Sequence, residues 1–236
     1  MDSNQRRHFE SYLRGNVYMT ASAADFPPTS KGGQSMLRLQ DFIAEIRHLD
    51  ALRVSGDNAQ KQATIAKRDD RKSLRAQISA MSRTSDTIAL DHPEFKGKFL
   101  WSGERVSDQT LLAIARAFAE EGVPASARFI EYGLPADFLQ KLNVTIGSLE
   151  QHIIEQNAGT AARIAARTGL AEKFELADLE MERMDTAVRN TYHDNPAKLA
   201  AWDRARRIER APHSSNGGEE DQEDDATLPA QVDSEG

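Results

Sequence analysis

The chain has no cysteine at any of its 236 positions. That removes disulfide frameworks, thiolate zinc sites, iron–sulfur clusters and cysteine nucleophiles together. Aromatic residues are scarce at 6%, and strand-like alternation of apolar and polar residues is hard to find anywhere along the sequence. No stretch approaches the roughly 20 apolar residues of a membrane span. The first 19 residues place Arg6, Arg7, Glu10 and Arg14 among their apolar positions. A secretion signal needs an uninterrupted apolar core, so the expectation is a cytoplasmic protein with no membrane partner.

Chemical motifs are missing as well. There is no nucleophile elbow, dinucleotide fingerprint or phosphate-binding loop, and Gly32-Gly33 lacks the Lys-Ser or Lys-Thr that would follow in a phosphate cradle. Ser, His and Asp occur without a meaningful spacing. The expectation is therefore a protein that is not an enzyme, with no catalytic, cofactor-binding or metal-binding residue assigned.

What is present is a helical rhythm. Apolar residues recur at spacings of three and four through most of the chain. A first helix over about 3 to 24 sets Phe9, Leu13, Val17 and Ala24 on one face, and Phe26-Pro27-Pro28 stops it. After a turn at 30 to 33, a helix over 35 to 54 turns Met36, Leu39, Ile43, Ile46 and Leu49 inward, with Gly56 as its stop. The next, 57 to 90, carries Ala63, Ala66, Leu74, Ile78, Met81 and Ile88, with Asp70 interrupting the stripe. Ser107 caps a helix that Gly122 ends, and Pro124 and Gly133 bracket a short one over 124 to 132. Leu139, Leu142, Ile146, Leu149 and Ile153 define another to about Asn157. A turn or kink at Asn157 and Gly159 then precedes a long helix from near Thr160 to Tyr192, and Asn195-Pro196 opens a last one with Leu199, Trp202 and Ile208.

The expected fold class is all-α: an elongated up-and-down helical bundle of about eight helices over 1–211, with a disordered acidic tail over 212–236. The net charge of −7 divides unevenly. The residues after Arg210 hold eight acids, Glu219 to Glu235, and no Lys or Arg, which leaves 1–211 at +1. The acidic balance of the whole chain thus says nothing against polyanion binding by its body.

Three strings resemble a family of uncharacterised bacterial all-helical proteins of similar length: Thr29-Ser30-Lys31-Gly32-Gly33-Gln34, Gly133-Leu134-Pro135, and the stretch from Asn195-Pro196 through Ala200-Ala201-Trp202 to Arg207-Ile208. These are turns and caps. The resemblance implies the helical fold over the body and supplies neither an activity nor site residues.

Candidate chemistry is thin. Glu45 and His48 have the one-turn spacing of di-metal carboxylate bundles, with His152 and Glu155 as the only similar pair, in reverse order. Basic residues gather at Lys61, Lys67, Arg68, Arg71, Lys72, Arg75 and Arg83, and again at Arg204, Arg206, Arg207 and Arg210. Phe95, Phe99, Leu100 and Trp101 punctuate the connection over 92 to 106, either as a plug for the open end of the bundle or as an adhesive loop for a partner. The leading expectation is a non-catalytic interaction or structural module that packs against a protein partner or a second copy. Two alternatives stand beside it: a polyanion or nucleic-acid binder whose basic helices are modulated by the acidic tail, and a metal-binding bundle.

Overall fold

The computed structural model describes residues 1–209. The acidic tail expected over 212–236 lies outside them. The described residues are all-helical, without strands. They form five helices rather than eight: α1 (Ser3–Ala21), α2 (Lys31–Asp91), α3 (Asp108–Glu131), α4 (Phe138–Thr191) and α5 (Pro196–Arg206), with a short 3-10 turn at Pro93–Phe95.

The corrected count has one physical cause repeated three times. Gly56, Gly122 and Gly159 are expected to end or interrupt helices and Pro124 to open one, and here all four lie inside helices, the glycines because a neighbouring helix needs the space. Gly56 joins the two helices expected over 35 to 54 and 57 to 90 into the 61 residues of α2. Asn157 and Gly159 interrupt nothing in the 54 residues of α4. Gly122 and Pro124 lie within α3, where a Cβ on Gly122 would come 2.9 Å from Leu139 Cδ2 and 3.1 Å from Met81 Cε. An interior proline removes one helical hydrogen bond, and the buried neighbours Ala125 and Phe129 hold the helix together past it.

Two helices of this length span about 90 and 80 Å, and they pair along most of it to form the spine. Smaller elements pack at each end. At one end α3 and the 92–107 connection close a core around Leu74, Ile78, Leu111, Phe118, Phe129 and Leu142. Phe95 and Phe99 are buried within it, Trp101 packs against it and Leu100 is 72% exposed. At the other end α1 and α5 close a second core around Tyr12, Leu39, Ile46, Phe174, Met184 and Trp202.

Caps explain several boundaries. At the start of α1 the Asp2 carboxylate accepts from the Gln5 backbone N–H (2.8 Å) and the Gln5 side-chain oxygen accepts from the Asp2 backbone N–H (3.0 Å), a capping box. Ser30 caps α2 through Gly33 N at 3.0 Å, so the turn expected at 30 to 33 is already the first turn of that helix. Ser107 and Asn195 cap α3 and α5 as their sequence contexts indicated. The stripe of α1 differs from expectation: Phe9, Tyr12, Gly15 and Met19 are buried, whereas Val17 is 67% exposed.

Candidate interaction site on the spine

Between the two cores the spine stands alone. Apart from glycine, Ala63 and Ala166 are its only buried residues between positions 50 and 70 of α2 and 150 and 169 of α4 among the described residues. The helices meet there backbone to backbone. A Cβ on Gly159 would lie 2.8 Å from the Gln60 amide nitrogen and 3.1 Å from the Gly56 carbonyl, and one on Gly56 would lie 3.0 Å from the Arg163 nitrogen. Only glycine allows that approach.

This close crossing leaves a groove of about 600 Å³ along one face, floored by Gly56, Ala59, Ala63, Ala158, Gly159 and Ala162. Neither α1 nor α3 covers it. Those helices lie over the stripe of Asp57 and Thr160, which stand about 200° around their helices from Ala59 and Ala158. Two of the twelve lining residues ionise, His152 and Glu155. Leu52 at the rim is 45% exposed.

His152 is the most chemically suggestive group in the groove. Its Nδ1 donates to Asp70 Oδ2 at 2.7 Å, an arrangement that orients imidazoles in many hydrolases. Ser148 Oγ, however, donates to the same Asp70 oxygen at 2.8 Å. A serine is activated when a histidine accepts its proton, and here the carboxylate accepts from both. The three groups form a closed polar clasp between α2 and α4, and they account for Asp70 on an otherwise apolar stripe. A second clasp, between α1 and α4, is Tyr12, whose hydroxyl donates to Asp178 Oδ1 at 2.6 Å. Burial, reinforced by that anionic acceptor, pushes the Tyr12 phenol well above its usual range.

The two Glu/His pairs do not meet. His48 is 22 residues from Asp70 on α2, about 33 Å along the helix, and His152 is held at Asp70. Glu45 binds Lys173 Nζ at 2.8 Å, and Glu155 accepts from Gln151 at 2.9 Å. No cluster of three or more His, Asp or Glu able to hold a metal ion exists among the described residues.

The basic residues of α2 are largely turned to internal acceptors. Lys67 reaches Asp108 (3.2 Å) and Gln156 (2.7 Å), and Arg71 binds Asp108 and the Val106 carbonyl (2.8 Å). Arg75 donates to the Glu104 carbonyl and lies over the Trp101 ring, while Lys61 pairs with Asp57 at 2.7 Å. Lys67, Arg71 and Arg75 thus tie the 92–107 connection and the start of α3 to the spine. Burial alone would raise the Asp108 carboxyl, and the bonds from Arg71 and Lys67 outweigh it and hold the group below the usual carboxylate range. On α5, Arg206 is held by Asp185 (3.3 Å) and Asp203 (3.4 Å). Arg68, Lys72, Arg83 and Arg204 remain on the surface.

Sequence reasoning missed the groove. Its signal is the run of small residues at helical spacing, Ser55, Ala59 and Ala66 on one helix and Ala158 and Ala162 on the other, which carries too little side-chain bulk to register as an apolar stripe. Across the described residues no helix is long and apolar enough to cross a membrane. Comparison of the chain with protein-family models, with curated proteins and with solved structures gives no match.

Proposed function

We propose that this protein is a non-catalytic helical interaction module, working in the cytoplasm, whose bare spine face pairs with the same face of a second copy. The observation that carries the reading is the groove itself. Small residues are what let helices approach closely, and depletion of charge is the compositional mark of the centre of an interface. A two-helix layer with such a face is half of a four-helix arrangement, and a two-fold axis completes it with a single self-complementary surface.

The area is sufficient only if the contact extends beyond the groove. From Leu52 to Ala66 the helix rises about 21 Å, and two helices side by side are about 20 Å wide, giving about 400 Å² per copy. A stable interface needs about 800 Å² per partner. The same face continues from Phe42 to Gln77, about 52 Å, which raises the covered area to about 1,000 Å². Glu45 and Asp70 on this face already have partners in Lys173 and His152, and Glu155, which accepts only from the neutral Gln151 amide, must stay at the wet edge of the contact, because a buried carboxylate without a cation is costly.

Sedimentation equilibrium tests the reading. The wild-type chain should weigh twice its 26.2 kDa at micromolar concentration, and Ala59→Arg or Ala162→Arg should return it to a single-chain mass with unchanged helicity, because both alanines are exposed in the single chain. A wild-type protein that stays single-chain to several hundred micromolar, or an Ala59→Arg variant that remains double, would overturn it.

A further inference from the structure

On the other side of the spine, where α1 begins, a second cavity of about 410 Å³ lies between Met1, Asp2 and Gln5 and the two long helices. Three guanidinium groups line it: Arg53 from α2, and Arg163 and Arg167, one turn apart on α4. Their acceptors are few. Arg53 is held by Asp50 at 2.9 Å. Arg163 reaches Asp57 only at 3.8 Å, and that carboxylate is already bound by Lys61. Arg163 Nε is buried with no hydrogen-bond partner, and Arg167 makes no ion pair among the described residues.

The path of the chain leads towards this cavity. α5 runs back along α1, and Arg14 donates to the carbonyls of Ala205 (3.3 Å) and Arg207 (2.5 Å), with Glu209 at 3.8 Å. The described chain therefore ends beside Arg14, twelve residues along α1 from Asp2, or about 18 Å. Glu219 lies ten positions beyond Glu209, enough to span about 33 Å when extended. Arg7, one heptad before Arg14 on α1, also has a buried Nε without a partner among the described residues.

We propose that the chain's own acidic run, Glu219 to Asp225, docks in this cavity, its carboxylates bound by Arg163 and Arg167. Guanidinium forks pair with carboxylates through two parallel hydrogen bonds, and six acids within seven positions offer several registers for such pairing. The tether holds the run at millimolar effective concentration, so weak individual pairs suffice. The site differs from the basic last helix, the other candidate target, because Arg206 is occupied by Asp185 and Asp203. It also faces away from the bare groove, so docking and pairing of copies are separable.

The absence of cysteine makes a direct test clean. In the full-length chain, Gln222→Cys and Thr168→Cys carry nitroxide labels, and the distance between them is measured by pulsed dipolar spectroscopy at 50 mM salt, with a tenfold excess of unlabelled chain. A peak confined below about 30 Å is expected, reflecting the helical rise from residue 168 to the cavity plus the label arms and widened only by the about 3.3 Å between neighbouring registers. Arg163→Gln with Arg167→Gln should abolish that peak, as should replacing the six acids of 219–225 by their amides, which leaves the described body untouched. Circular dichroism checks that the arginine variant stays folded. A broad distribution in the wild type, or a short-distance peak that survives either change, would overturn the proposal. So would a short distance lost only on dilution with unlabelled chain, because the cavity would then hold the run of another copy.

Discussion

Replacing Gly159 by alanine puts the crossing of the two long helices to a direct test, because the same change twelve residues earlier on the same helix should have the opposite sign. At Gly147 an added Cβ meets nothing within 4 Å. Gly147→Ala therefore keeps the helix-propensity gain alone, about 0.5–1 kcal/mol of stabilisation. At Gly159 the new carbon would sit 2.8 Å from the Gln60 nitrogen, 3.1 Å from the Gly56 oxygen and 3.2 Å from Gln60 Cα. All three are backbone atoms of a helix braced at both ends, so the spine must open to admit the methyl group. Overpacking of this kind costs about 1–3 kcal/mol. After the propensity gain, Gly159→Ala should destabilise by about 0.5–2 kcal/mol. The two variants should then differ by at least about 1 kcal/mol, or about 2–4 °C in Tm for a chain of this size. Urea titration followed at 222 nm measures both. A cycle with Gly56→Ala adds a sharper criterion: once one methyl has separated the helices, the second should cost less, giving a coupling of 0.5 kcal/mol or more. If Gly159→Ala stabilised as much as Gly147→Ala, or if the cycle were additive, the backbones would not be in contact and the groove they create would lose its basis.

Two further outcomes follow from the end cores. Phe99 is 2% exposed and meets Phe118 and Phe129 edge-on at 5.3 and 5.1 Å between centroids, so Phe99→Ala should cost about 3–5 kcal/mol. Hydrogen exchange should report that loss in α3 and spare α1 and α5. Leu100→Ala should stay within about 0.5 kcal/mol of wild type, and equal effects at the two positions would show that the connection does not close the core. Tyr12, whose phenol is shifted further up than those of Tyr18 and Tyr132, carries the largest share of the alkaline pH dependence among the tyrosines. Its folded pKa is raised, so its contribution is fully present below the unfolded value of about 10 and is lost as pH climbs above it. Tyr12→Phe should therefore lose stability less steeply than wild type between about pH 10 and 11.5, and an equally steep decline would remove Tyr12 as the cause.

The large apolar residues were legible where one stripe meets one partner. Met36, Leu39, Ile43 and Ile46 are all buried as their spacing indicated, and so are Leu74, Ile78, Met81 and Ile88. In α1 the expected Phe9 is buried and Leu13 packs against the edge of the core, but Tyr12 and Gly15, rather than Val17, complete the inward face. A tyrosine whose hydroxyl finds an internal carboxylate, and a glycine at which a Cβ would press on Met181 at 2.9 Å, do not register as apolar in a periodicity count. Asp70 stands out on its apolar stripe, yet its partners Ser148 and His152 lie 78 and 82 residues away, beyond any local pattern.

Gly56 and Gly159 carry the larger lesson. A glycine after a run of helix formers is a stop when the chain turns there and a contact when another helix arrives there, and the local sequence is the same in both cases. What separates them is the facing element: both glycines occur within alanine- and serine-rich turns, and a helix end has no use for such turns, whereas a close crossing does. Reading Ser55, Gly56, Ala59 and Ala63 together with Ala158, Gly159, Ala162 and Ala166 as two matching small-residue faces predicts one long pair in place of four shorter helices. The same reading places an uncovered, nearly uncharged surface at the middle of that pair. The two ends of the molecule are stabilised by their own aromatic cores, and the middle is kept thin by residues that contribute little burial of their own.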